Sequence, residues 1–339
     1  MNSVVRITTV IVLVLAAGFG SNGVAVAARA SDSPKRSSGP EQHVVTIEKL
    51  RVHYVESGTG SDVVLIHGNA GDAADFEFGV MDLLSQNYRV IAIDRPGHGD
   101  SDRPKGKEAS VEYQARILHE TLVKLGIKHP VLVGHSWGGS LALCYALKYP
   151  DDVTGMVLLA PAAYPDDREH ALTKVLTKTP VLSNVSIAIG KALFGHLFLK
   201  QVLNDAFYPQ NVPTSYFKLV AKTWLGDKQL RAYLEDQLIL NDCLRKMKDQ
   251  YSDIKIPVVI VTGDNDKIVS SKDNAYRLQK EIPGSRLIEL KNTGHEIPLT
   301  RPESIFSAMK LMTPLPGAST ATSKNLVTVV PGPDSYFSE

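Results

Sequence analysis

Val131-Leu132-Val133-Gly134-His135-Ser136-Trp137-Gly138-Gly139-Ser140 is the stretch on which the reading of this chain turns. A short aliphatic run of strand type is followed at once by Gly-x-Ser-x-Gly, and then by an apolar helical pattern over 136–148. When a buried strand bends directly into a helix, the turn leaves no room for a side chain at either flank, so glycines are needed there. The serine at its apex is lifted clear of the sheet edge. Behind it the helix start offers unpaired N–H groups and the positive end of the helix dipole. Ser136 is therefore read as a candidate nucleophile, because strand, turn and helix stand in the one order that gives the pentapeptide meaning.

Outward from that turn, short β-branched runs alternate with longer helical patterns. Residues 44–50 and 52–56 read as an antiparallel pair. Runs at 63–66, 90–93, 131–133, 156–159 and 258–261 are continuously apolar, as strands buried on both faces of a parallel sheet must be. Between them lie helical patterns at 76–86, 111–125, 136–148 and 274–281. The alternation predicts an α/β fold with a mostly parallel sheet covered by helices on both sides, whose ligand lies beyond the carboxyl ends of the strands. From about 161 to 251 no buried-strand run occurs while helical patterns recur, including 181–199 and 224–240. So long an insertion reads as a helical cap over that edge.

The ends read differently. Arg6, an apolar run over 7–20 and Ala25-Val26-Ala27 are the parts of a secretory signal, giving residues 1–30 as a signal peptide and an exported protein. The run is short for a bilayer span, and a membrane-anchored form follows only if that segment stays uncleaved. Residues 31–42 read as a linker and 43–313 as the folded domain. The Ser-, Thr-, Pro- and Gly-rich residues 314–339 read as a flexible tail, although Leu326-Val327-Thr328-Val329-Val330 has the β-branched character to pair with a sheet edge.

Composition sets limits on partners. The formal net charge is +1, and losing Arg6 and Arg29 with the signal leaves the chain near neutral, so nucleic acid is not expected as a partner. Two cysteines, Cys144 and Cys243, make neither a disulfide framework nor a four-thiolate zinc site. No His-Glu-x-x-His, Gly-x-x-x-x-Gly-Lys or strand-linked Gly-x-Gly-x-x-Gly occurs. No metal or cofactor is therefore expected, and the partner is a small-molecule substrate. The oligomeric state is not legible.

A serine nucleophile needs an imidazole base and a carboxylate to orient it. Of ten histidines, His295 in Thr293-Gly294-His295-Glu296 follows the strand at 286–290 and so reaches the ligand-bearing edge. His43 and His53 belong to the opening strand pair, read as far from that edge. His67 and His98 are expected to brace edge loops, and His135 to pack under the turn. For the acid, Gly263-Asp264-Asn265-Asp266 follows the strand at 258–261, and both Asp264 and Asp266 are near enough in sequence to serve. Oxyanion donors are expected from the backbone N–H of Trp137 and, in the loop His67-Gly68-Asn69-Ala70-Gly71, from Asn69, with Ala70 the alternative.

Together these residues resemble the α/β-hydrolase superfamily, in its serine-nucleophile branch with a helical cap, from about residue 44 to 312. His67-Gly68 is similar to the superfamily's oxyanion loop. Asp94-Arg95-Pro96-Gly97-His98-Gly99-Asp100-Ser101 resembles its turn after the fourth strand. Gly263-Asp264-Asn265-Asp266-Lys267-Ile268-Val269 resembles the acid motif, which puts the acid at Asp266. The resemblance implies a triad of Ser136, Asp266 and His295 and an enzyme, since Ser136 stands where dehalogenases and epoxide hydrolases of this fold carry aspartate. The expected reaction is cleavage of a carboxylic ester of a small or medium apolar substrate through an acyl-enzyme. A carbon–carbon bond (diketone) hydrolase with the same triad is the alternative, and a non-catalytic ligand-binding protein on the same fold is the alternative of another class.

Overall fold

The computed structural model describes residues 40–69, 71–104, 109–166, 184–312 and 327–330. The expected signal peptide, Ala70 and most of the expected linker and tail lie outside the described residues.

The strands are β1 (Glu41–Ile47), β2 (Leu50–Ser57), β3 (Ser61–Ile66), β4 (Tyr88–Ile93), β5 (Val131–His135), β6 (Gly155–Leu159), β7 (Val258–Gly263), β8 (Arg286–Leu290) and β9 (Val327–Val330). They form one sheet in the order β1-β2-β4-β3-β5-β6-β7-β8-β9. β2 runs antiparallel to both β1 and β4, and every pairing from β4 to β9 is parallel.

The period-2 geometry of a strand explains why the central runs are apolar throughout. Val64, Ile66, Leu132, Met156 and Leu158 face one layer, with the helices Val111–Lys124, Trp137–Lys148 and Ala275–Glu281. Their alternates Val63, Leu65, Val133, Val157 and Leu159 face the other, with Val80–Leu84 and Pro302–Met312. Each central strand is thus buried on both sides, and its ladder is satisfied by its neighbours. Cys144 and Cys243 are free thiols buried in the first layer, where they pack as small apolar groups.

Between β6 and β7 the described residues hold the helices Asn184–Phe207, Thr214–Trp224 and Asp227–Met247 and no strand. The first two meet in a separate cluster of Leu199, Leu203, Phe207, Tyr216, Val220 and Trp224, joined by Leu299, while the third packs Tyr233 against it and buries Leu240, Leu244 and Met247 in the first layer. Among the described residues no helix is long and apolar enough to cross a membrane.

Four boundaries differ from expectation, each for a local reason. The first hairpin turns at Glu48-Lys49, both at positive φ (47° and 73°), so Leu50 opens β2. Glu41 and Gln42 belong to β1, not to the linker. An edge strand exposes one side, so polar residues there leave no apolar pattern to read. The helix expected over 76–86 is broken into Ala74–Glu77 and Val80–Leu84 by Gly79, whose φ of 114° only glycine adopts readily. Finally, Val327–Val330 is no part of a flexible tail. It adds a parallel strand to the open edge of β8, satisfying N–H and C=O groups that would otherwise face water.

Candidate active site

β5 delivers Ser136 to the carboxyl edge at φ 53° and ψ −115°, a conformation costly for a residue with a side chain. The surroundings hold it there. Ser136 N–H donates to the Leu159 carbonyl of β6 (2.9 Å), and its own carbonyl accepts from Gly139 N–H (2.9 Å) and Ala162 N–H (3.1 Å). A Cβ on Gly134 would stand 2.4 Å from the Gly138 carbonyl, and one on Gly138 would stand 2.2 Å from the Ile66 carbonyl. Neither flank of the turn tolerates a side chain.

His295 and Asp266 arrive on the loops after β8 and β7. His295 Nδ1 is hydrogen-bonded to Asp266 Oδ2 at 2.8 Å, and both side chains are buried. The other Asp266 oxygen accepts the N–H groups of Ile268 and Val269, each at 2.8 Å, which fixes the carboxylate before the imidazole meets it. Of the two acids open to sequence reading, Asp266 is the one bonded to His295. Asp264 turns instead to the Thr293 N–H (3.3 Å) of the histidine loop and to the Asn265 amide (2.7 Å) beside it, so it ties the two loops together. Burial lowers the His295 pKa, but the Asp266 carboxylate outweighs it and holds the imidazole above its usual 6.5.

The turn at Ser136 and the histidine loop touch directly. His135 Nε2–H donates to the His295 carbonyl (3.0 Å), with the two rings 4.9 Å apart. Burial, aided by His295, pushes the His135 pKa down to about 3, so His135 is a neutral brace. The cap grips the same loop from outside, because the N–H groups of His295 and Glu296 both donate to the Ala206 carbonyl at the end of the helix Asn184–Phe207. A Cβ on Gly294 would stand 2.0 Å from the Tyr208 carbonyl, so this close approach needs glycine.

On the other side of Ser136 stands the loop after β3. A Cβ on Gly68 would meet Ser136 Cβ at 3.3 Å and His135 Nδ1 at 3.1 Å, so the Gly68 backbone lies against the turn. The Asn69 side-chain amide reaches into the cap, donating to the Tyr233 carbonyl (3.2 Å) and to Gln237 Oε1 (3.1 Å). Trp137 is buried at the first position of its helix, its indole N–H donating to the Asp236 carbonyl (3.4 Å). His67 braces this loop: Nε2 accepts the Arg95 N–H (2.9 Å), which leaves the proton on Nδ1 for the Gly68 carbonyl (2.8 Å).

Sequence reasoning missed a buried ion pair beneath that loop. Arg95 Nη1 meets Asp236 Oδ2 of the cap helix Asp227–Met247 at 2.6 Å, with both side chains almost wholly buried. Asp236 also receives Arg103 (2.8 Å) and His98 (3.1 Å). Burial works to raise the Asp236 pKa, but Arg95, His98 and Arg103 together hold it well below the usual carboxylate range. The Asp94-Arg95 motif marked the turn, but nothing local marked its partner 141 residues away.

His53 also departs from expectation. β2 is antiparallel to β4, so its early residues lie at the carboxyl edge of the parallel strands. His53 Nδ1 is hydrogen-bonded there to Asp94 Oδ2 (2.7 Å), a bond that raises its pKa. Asp94 Oδ2 also accepts the Asp100 N–H and Asp94 Oδ1 the Ala73 N–H, so this histidine helps to set the loop beside Arg95. Among the described residues no group of three or more His, Cys, Asp or Glu could hold a metal ion.

A family model of the alpha/beta hydrolase fold matches residues 63–302. The chain is 30% identical over 276 residues to a 2-hydroxy-6-oxononadienedioate/2-hydroxy-6-oxononatrienedioate hydrolase of Burkholderia vietnamiensis, which spans 76% of this chain and 90% of that one. It is 29% identical over 254 residues to Lipase 1 of Psychrobacter immobilis, across 71% of this chain and 74% of the lipase. The crystal structure of a bacterial membrane phospholipase A shares the fold, with a TM-score of 0.67 at 20% identity over 82% of this chain and 88% of that one. The chain belongs to the α/β-hydrolase family and is an enzyme of it.

Proposed function

We propose that this enzyme cleaves a carboxylic ester of a small or medium apolar substrate through an acyl-enzyme on Ser136. The observation that carries the reading is the His295–Asp266 hydrogen bond of 2.8 Å, in a loop bonded to the residue before Ser136. With Nδ1 committed to Asp266, Nε2 is the imidazole nitrogen left to exchange protons. Ser136 Oγ attacks the ester carbonyl while His295 takes its proton, and Asp266 stabilises the imidazolium so formed. The N–H groups of Trp137 and Asn69 receive the developing oxyanion, a contribution typically of about 3 kcal/mol for each such donor. Collapse expels the alcohol with the proton from His295, and water, activated by the same imidazole, releases the acid.

A carbon–carbon bond hydrolase with the same residues is the second reading, and the 30% identical Burkholderia relative favours it. Charge favours the ester. The substrate in that relative's name is a dicarboxylate, whereas the residue after His295 is Glu296, and Asp75 is buried near enough for Glu296 to raise its pKa. Burial in turn raises the Glu296 pKa. Pushed towards their neutral forms, these two carboxyl groups supply no positive charge to pair with the carboxylates of such a substrate. The test is a chain-length panel of p-nitrophenyl esters beside a vinylogous diketone acid, on wild type and Ser136→Ala. Ester turnover abolished in Ser136→Ala supports the proposal. Diketone cleavage without ester turnover moves the second reading ahead, and equal turnover by both proteins overturns the mechanism.

A further inference from the structure

Arg95 has more partners than an ion pair with Asp236 requires, and they converge on one place. Its Nε donates to the His67 carbonyl (3.2 Å) and its Nη2 to the Gly68 carbonyl (3.0 Å). Its Nη1 serves Asp236 (2.6 Å) and Gln114 Oε1 (3.0 Å). The guanidinium carbon lies 4.1 Å from the centre of the Trp137 ring. One buried cation therefore touches both units that carry the candidate oxyanion donors, the Gly68-Asn69 peptide and Trp137. It is held there by a carboxylate of the cap.

We infer that Arg95 is the positioning residue of the oxyanion hole, and that Asp236 makes its geometry conditional on the cap being seated. The inference rests on the proposed function. A planar trans peptide points its C=O and N–H in opposite directions. Fixing the Gly68 carbonyl on Arg95 Nη2 and His67 Nδ1 therefore fixes the Asn69 N–H on the opposite side of that peptide. A carbonyl that accepts from a cation also polarises its peptide, which strengthens the N–H as a donor. On the other flank, the guanidinium stacked on the indole and the Trp137 Nε1–H bond to the Asp236 carbonyl hold the first residue of the helix behind Ser136. The cap reaches the same loop a second time, through the Asn69 amide on Tyr233 and Gln237. A lysine cannot replace this arrangement, since a single ammonium lacks the planar fork that serves two carbonyls and a carboxylate at once.

The test is steady-state turnover of p-nitrophenyl butyrate by wild type, Arg95→Met, Arg95→Lys and Asp236→Asn, with Ser136→Ala as the control. The rate of Ser136 labelling by a fluorophosphonate and the pH profile of kcat/KM are followed alongside. The inference expects Arg95→Met to lower kcat about 10- to 100-fold, less than the loss of a donor itself, with KM nearly unchanged. Labelling should slow in proportion, and the limb of the pH profile set by His295 should stay where it is. A merely structural role would instead move KM, the pH profile and the fraction of active protein together. Arg95→Lys, which keeps the charge and loses the fork, should fall on the same side as Arg95→Met. It also carries the test should the methionine variant not fold. Folded Arg95 variants with wild-type kcat and labelling rate overturn this inference alone, leaving the ester reading intact. Wild-type turnover that survives Ser136→Ala overturns the ester reading, and this inference with it.

Discussion

Two buried charge systems flank Ser136, and they are built for opposite ends. On one side, His295 and Asp266 lie 29 residues apart on consecutive loops of the sheet edge. On the other, Arg95 and Asp236 lie 141 residues apart, one on the edge and one on the cap. In the first pair the imidazole pKa is raised above its usual 6.5, because Asp266 more than offsets the lowering that burial brings. The second pair stays charged throughout the working range, its carboxylate held far down by three cationic or hydrogen-bonding neighbours. His135 shows what burial does when no carboxylate is supplied: its ring lies 4.9 Å from that of His295, and its pKa is pushed down to about 3. One side of the serine can move a proton. The other can only hold its neighbours still.

Breaking the proton-moving side has the largest expected effect. His295→Gln should lower kcat about 10⁴- to 10⁶-fold while the protein stays folded, read by ester turnover beside a circular dichroism melt. Asp266→Asn keeps the shape, but its amide offers Nδ1 a donor or a weaker acceptor. A kcat loss of about 10⁴-fold is expected, and a loss under tenfold would show that the carboxylate is not what orients His295. The same pair sets a pH dependence. His295 must be neutral to act as base, and its pKa is raised, so kcat/KM should rise with pH through a midpoint above 6.5. The sign for stability is the reverse. A raised imidazole pKa contributes stability fully present below the unfolded value and lost as pH climbs through the folded one. A rising limb centred below 6.5 would contradict the coupling to Asp266.

The smallest expected effect concerns a third buried carboxylate, Asp75, whose partner is the Tyr216 hydroxyl (2.8 Å) and not a cation. Burial raises its pKa, and Asp72 and Glu296 raise it further. Its folded pKa lies above the unfolded one, so its contribution is present in acid and lost as pH rises through the folded value. Asp75→Asn resembles the protonated acid. It should raise Tm by about 2 °C at pH 8, with the gap closing near pH 4 where the wild-type side chain is itself protonated. An equal Tm change at both pH values would mean that the carboxylate is not the strained group.

What was legible in the chain follows from how local each signal is. The strand-to-helix turn at Ser136, the apolar runs of the parallel strands and the histidine loop each carry their reason within a few residues, so sequence reasoning located them. Choosing Asp266 over Asp264 needed a family pattern, because both acids sit in one turn and only three-dimensional geometry separates the one that reaches His295. Arg95 lay inside a quoted motif, yet its purpose was invisible, since Asp236 sits within a polar helix with no local sign of burial. His53 was misplaced for a topological reason: an antiparallel strand begins where its parallel neighbours end. The ninth strand was half legible, because four β-branched residues gave it the character to pair with a sheet edge while their Pro-, Ser- and Thr-rich surroundings read as a flexible tail.

An acyl-enzyme mechanism requires Ser136 Oγ to carry the acyl group during turnover. The direct measurement is acid-quenched mass spectrometry of the enzyme during turnover of p-nitrophenyl butyrate, with the modified peptide mapped. One butyryl group on Ser136, absent from Ser136→Ala and slowed to background in His295→Gln, is the predicted result. Turnover with no covalent adduct, or an adduct mapped to any other side chain, would contradict it.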